Sequence, residues 1–327
     1  MKTSYIYWVL PFVLLGCKDA THSVETVTAE PVEAVGDQIA SIEVSNPSRF
    51  ARPDTLISFS LNELGVTTGP LQVWAGNSAQ PSQLVDDNGD TSPDRLVFLV
   101  DLDAAATYNY TVDRRQIEHN LSPRTHAEVS IKEGGEWQGA TYVDGTFRNV
   151  DHVTNPPQYT DHSEYIRYEG PGIESDVTGY RVYLDWRNGF DIFGKKTPEM
   201  VLQNVGLDGY DSYHEMSDWG ADILKVGSSL GTGGYAYWDG SKTVFVSDVA
   251  ERSATIRSNG PIHASLDIDY IGWNTGAETV DMKATLSMQA GSPMVDVDLT
   301  TSAPLDNLAI GIVAHPGTDL IMGDLDI

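Results

Sequence analysis

Between residues 159 and 234 the chain collects side chains able to move protons and grip anions. Imidazoles titrate near neutral pH, so His162 and His214 are candidate general acids or bases. Tyr210 and Tyr213 bracket the approach to His214, and either hydroxyl can give up a proton. The plainer reading of both tyrosines is core packing or a platform for a sugar ring. Glu215 or Asp211 stands close enough in sequence to orient the His214 ring; the competing reading is a histidine that caps the next turn. Arg181, Arg187, Asn188 and Lys225 offer donors for a carboxylate, arginine in bidentate fashion. A salt bridge to Asp185 or Asp191 is the structural alternative for Arg187, while Arg181 lies on an alternating strand that can point it into the same cleft. Glu169 and Glu174 flank Gly170-Pro171-Gly172, where they bind hydroxyls or hold the loop. Trp219 and His315 complete the set of candidate substrate contacts, although Ala314-His315-Pro316-Gly317 also reads as a turn.

Other chemistries find less support. A zinc set could be assembled from His162, His214 and His315 with a carboxylate, but their lack of His-x-x-x-His spacing does not indicate one, and no cofactor is expected. Asp86-Asp87-Asn88-Gly89-Asp90 with Asp94 resembles a calcium loop, but Val97 stands where the final glutamate belongs, and a hairpin turn with solvated acids reads better. Gly231-Thr232-Gly233-Gly234 lacks the lysine of a phosphate loop, and no Gly-x-Ser-x-Gly elbow occurs. The many acids leave a paired-carboxylate glycosidase open. One cysteine excludes a disulfide framework, a cysteine zinc site and an iron–sulfur cluster. Lys and Arg number 20 against 47 Asp and Glu, a formal charge of −27, so nucleic acid is not an expected partner.

The elements that must position these groups are strands. Residues 41–45, 56–61, 71–74, 95–100 and 108–112 alternate or run apolar between turn signals. They predict a small β-domain over 41–115. Further strands are expected at 180–185, 243–247, 254–257, 262–270, 280–288, 294–299 and 308–313, and one short helix between Ser217 and Leu224. With 327 residues the chain accommodates two domains of ordinary size. The fold class is all-β, with a large antiparallel sandwich over 116–327 carrying the site. Its strand supply is modest for such a sandwich, so the sequence is expected to be truncated at its C-terminal end.

The first 17 residues combine Lys2, an apolar run from Tyr5 to Leu15, and Gly16-Cys17. That order fits a secretory signal, and Leu14-Leu15-Gly16-Cys17 resembles a lipobox in which Cys17 is lipidated. The run is short for a membrane span. The expectation is an exported protein held at the bacterial outer membrane, on its periplasmic or surface face, through a lipid on Cys17. Residues 18–40 would be a flexible tether.

Five runs in order, EGPGIESDVTGYRVYLDWRN, DIFGKK, VLQNVGLDGYDSYHE, DWGADILKVGSSLG and IVAHPG, resemble the bacterial domain-of-unknown-function family DUF4861, over roughly residues 45–327. That family is common in polysaccharide-degrading loci of Bacteroidetes. The segment from Gly260 to Ile268, with the strand through Met288, also resembles the galactose-mutarotase type of supersandwich. The family resemblance implies an oligosaccharide dehydratase that removes water from a non-reducing-end uronic acid, as on ulvan fragments. Such a reaction needs a base for the C5 proton, an acid for the C4 hydroxyl, and a group that neutralises the carboxylate. His214 with a tyrosine would supply the first two. Arg181 and Arg187, in a positive island with Lys195, Lys196 and Lys225, would supply the third. A polysaccharide lyase and a non-catalytic glycan-binding lipoprotein are the alternatives.

Overall fold

A computed structural model describes residues 26–31, 38–115, 121–210, 212–319 and 321. The expected leader with Cys17 lies outside them, as does Asp211. The chain is all-β: among the described residues every regular element is a strand or a three-residue 3-10 turn.

The N-terminal unit is a sandwich of two antiparallel sheets. One sheet runs Thr26–Pro31, Gln38–Ser45, Thr107–Asp113, Gln72–Ala75 and Ser78–Ala79; the other runs Arg52–Ser60, Arg95–Leu102 and Ser82–Val85. Successive strand side chains point to opposite faces. Ala40, Ile42 and Val44 are therefore buried together, and they meet Ile57, Phe59, Leu96, Phe98 and Val100 in one core. Arg95–Leu102 breaks the alternation for a physical reason. Leu96, Phe98 and Val100 face the small sandwich, while Val97 and Leu99 pack on Ile262 and Ala290 of the larger unit. Both faces of this strand are buried, so its run is continuously apolar. Arg124 bonded to Asp54, and Gln83 bonded to Ser258 and to the backbone of His263, extend the same seam.

The larger unit faces a six-stranded sheet against a five-stranded one. The first has the order Thr146–Val150, Thr125–Glu133, Gly172–Ser175, Thr178–Val182, Phe190–Lys195 and Gly220–Asp222. The second has the order His152–Thr154, Glu251–Asn259, His263–Asn274, Thr279–Gln289 and Asp296–Thr301. Ala127, Val129, Ile173 and Val182 from the first meet Leu266, Ile268, Ala284 and Leu286 from the second. A three-stranded sheet of Thr243–Val244, Thr232–Trp238 and Leu308–Ile312 stands beside them.

Several expectations change. The tether over 18–40 is not wholly irregular, because Thr26–Pro31 pairs with Gln38–Ser45. No helix lies between Ser217 and Leu224; Gly220–Asp222 pairs with Phe190–Lys195 as an edge strand instead. So short a segment lacks the length to sustain a helix alone, and the open sheet edge offers it backbone partners. The strand expected over 180–185 stops at Val182, where Asp185 turns to accept the Arg187 backbone N–H. Residues 86–94 form a hairpin loop in which Asp86 accepts backbone N–H groups from Asn88, Gly89 and Thr91.

Candidate functional site

The site is built on the outer face of the six-stranded sheet. Val182 points between the sheets, so Arg181, one residue earlier, points the other way. Arg181 is opposite Asp191 in register, and Asp222 follows on the next strand opposite Phe193. Three ionisable side chains on neighbouring strands thus share one face. Arg181 Nε and Nη2 donate to Asp191 Oδ2 at 2.9 and 2.6 Å, and Nη2 donates to Asp222 Oδ2 at 2.7 Å. Gly220 makes the edge strand possible: its φ is +135°, and a Cβ there would sit 1.8 Å from the Gly194 carbonyl oxygen.

A second layer lies on the first. In the 3-10 turn Arg167–Glu169, Tyr168 and Glu169 both adopt left-handed backbone, with φ of 38° and 68°. Such pairs of non-glycine residues cost free energy and persist where the surroundings hold them. Here Glu169 Oε1 accepts the His162 backbone N–H at 2.8 Å and Arg187 Nη2 at 2.9 Å. Its Oε2 has no hydrogen-bond partner among the described residues and lies 3.7 Å from Arg181 Nη1. Arg187 is bidentate on Asp185 and stacks 3.8 Å from the Tyr183 ring. Two buried guanidinium groups therefore face four carboxyl groups, Asp185, Asp191, Glu169 and Asp222. Burial pushes the Asp222 carboxyl up to about 7, against the pull of Arg181 and with Asp191 adding to the rise.

Above this ion cluster opens a cavity of about 240 Å³, walled by Lys132, Phe147, His162, Glu164, Tyr168, Glu169, Tyr210 and Tyr213 among others. His162, held at a φ of 56°, brings Nε2 to 2.6 Å from the Tyr210 hydroxyl, and the two rings meet edge to face at 4.6 Å. His214 stacks 4.6 Å from Tyr213 and 5.2 Å from Tyr210. Its Nε2 is 3.5 Å from Asp222 Oδ2, so Asp222, not Glu215 beside it in sequence, is its acidic neighbour. The Tyr213 hydroxyl accepts from Arg181 Nη1 at 3.0 Å, and burial raises its ionisation well above the usual range, which keeps it protonated. His162, Tyr210 and Tyr213 thus line one mouth, whereas His214, the expected base, stacks on the two tyrosines outside the cavity wall. The imidazole that faces the cavity is that of His162, and with the phenol beside it the pair can take a proton from one atom and deliver one to another.

The structure thus gathers His162, Tyr210, Tyr213, His214 and Glu169, and sets Arg181 and Arg187 beneath them. The arginines do not form the expected open clamp. Their donors are turned to the buried carboxylates, and Lys195 of the expected positive island is bonded to Glu174. Glu174 also accepts the backbone N–H groups of Val201 and Leu202, a structural role. Asn188 is likewise structural: its amide donates to the Tyr235 carbonyl and accepts from Val246 N–H. Lys225 is exposed and outside the cavity wall. Trp219 packs edge-on against Phe193, outside the cavity wall. His315 belongs to a turn, its carbonyl accepting from the Thr318 N–H and hydroxyl. Lys132 and Asp222 are the residues that reading the sequence missed. Among the described residues no group of three or more His, Cys, Asp or Glu is arranged to hold a metal ion.

The family model described as a domain of unknown function (DUF4861) matches residues 44–326. The chain is a member of that family. The matched span contains the whole cavity wall and the ion cluster beneath it. No curated protein and no solved structure matches the chain.

Proposed function

We propose that the chain is an exported carbohydrate-active lyase that eliminates water from the non-reducing-end uronic acid of an acidic oligosaccharide. The observation that carries this reading is the 2.6 Å contact between His162 Nε2 and the Tyr210 hydroxyl at the cavity mouth. The base and acid of an elimination are then already coupled. His162 takes the C5 proton of the uronate, and the C–H electron pair becomes the C4–C5 double bond. The C4–O bond breaks, and Tyr210 gives its proton to the departing hydroxyl, which leaves as water. Proton transfer from the imidazolium to the phenolate restores both groups. Tyr213 lines the same cavity, and His214 stacks against it. The larger sandwich is read as the galactose-mutarotase type. The run ending in Gly16-Cys17 supports export with a lipid anchor at the outer membrane.

The test is incubation with uronate-ended oligosaccharides from several algal and plant polymers. Loss of one water from an unshortened chain, with rising ultraviolet absorbance from the conjugated product, is the expected result. Shortened chains would assign a polysaccharide lyase instead, and recovery of unchanged oligosaccharide throughout would overturn the enzymatic reading.

A further inference from the structure

Among the described residues, Lys132 is the one lysine or arginine in the cavity wall. It projects from the strand Thr125–Glu133, opposite Phe147 in register, with Nζ 5.5 Å from the Phe147 ring. The side chain is 15% exposed. Its ammonium group meets Glu164 Oε2 at 2.9 Å. Glu164 is different in kind: its side chain is 52% exposed, and its backbone is left-handed at a φ of 59°. A confined cation is thus paired with a carboxylate that water already reaches. The carboxylate of this pair is the exposed partner, so water competes for it and the Glu164 side chain gains freedom on leaving. The buried arginines offer no such exchange, because each holds carboxylates that water does not reach.

We infer that Glu164 occupies, in the free protein, the place of an anionic substituent of the ligand, and that a sugar carboxylate or sulfate displaces it from Lys132. The inference rests on the reading of this cavity as the sugar site. It moves the anion-binding role from Arg181 and Arg187 to a residue on a different strand.

Calorimetric titration of the full chain with D-glucuronate, D-glucose 6-sulfate and D-glucose tests it. Glu164→Gln removes the internal competitor and is expected to bind the anionic sugars about two- to fivefold more tightly. Lys132→Gln is expected to bind them at least about tenfold more weakly. Neither substitution should alter the affinity for D-glucose, and added salt should reduce the anion preference. A response confined to glucuronate assigns the slot to a carboxylate, and one confined to the sulfate ester to a sulfate. Tighter binding cannot arise from a misfolded variant, so unchanged or weaker binding by Glu164→Gln overturns the inference, as does wild-type protein that binds none of the three. Because the readout is affinity, it separates from the proposed reaction. Tightening without elimination would sink only the reaction, and elimination without tightening only the role of Glu164.

Discussion

His162 and Tyr210 share a hydrogen bond of 2.6 Å although 48 residues separate them in sequence. The His162 backbone N–H donates to Glu169, which anchors the chain beneath the ring, and Nδ1 lies 3.5 Å from Asp161 Oδ2. If the imidazole and the phenol exchange one proton during turnover, they act as a unit. His162→Gln and Tyr210→Phe are each expected to lower the elimination rate by about 10² or more. The double variant should be little worse than either single one. Initial rates from ultraviolet absorbance, with thermal unfolding as a control, check this, and fully additive losses would contradict the pairing.

Asp222 gives a pH signature with a definite sign. Its carboxyl rises from an ordinary 3.8 to about 7 on folding, chiefly through burial. Between these values the folded chain holds more protons at this group than the unfolded chain. Stability from this group therefore falls as pH rises from about 4 to about 7 and is level above. Urea unfolding should show wild type losing stability relative to Asp222→Asn as pH rises from about 4 to about 7. A constant difference would contradict the shift.

Arg181 is the counterion of a buried acidic cluster, bonded to Asp191 and Asp222 and 3.7 Å from Glu169. Arg181→Met leaves these carboxyls facing one another without compensation. The expected loss is about 3–5 kcal/mol, the usual result of breaking a buried pair from one side. Thermal or denaturant unfolding measures it, and a loss under about 1 kcal/mol would show that the cluster relaxes by taking up protons.

His263 sits at the seam between the two sandwiches, 4% exposed, with Nδ1 lacking a hydrogen-bond partner among the described residues. Burial, helped by Arg95 and opposed by Asp87, pulls its titration down from 6.5 to about 4. Below pH 6.5 the unfolded chain takes up a proton that the folded chain refuses. Stability is then lost as pH falls from 6.5 toward 4, by up to about 3 kcal/mol. In His263→Gln that acid loss should be smaller, and identical acid profiles would remove His263 from the account.

The all-β character was legible because it is local. Ile42 and Val44 alternate with Glu43 and Ser45, and that period of two survives into the fold. That His162, Tyr210, Tyr213 and His214 stand in one polar, aromatic stretch was legible in the sequence; that His162 meets Tyr210 was not. Lys132 carried a readable signal that went unused: Ala127, Val129 and Ile131 alternate with Glu128, Ser130 and Lys132 over one long strand.

By itself the sequence determined strands, a polar aromatic stretch and membership of a family. Only the tertiary structure decided which charges are free. Arg181 and Arg187 look like open cations in sequence, yet strand pairing and a strained turn fold four carboxyl groups around them. His214 has Glu215 beside it in the chain, but an edge strand delivers Asp222 to its ring. The physical reason is that side-chain alternation is written residue by residue, whereas register and charge neutralisation arise between segments far apart in the chain.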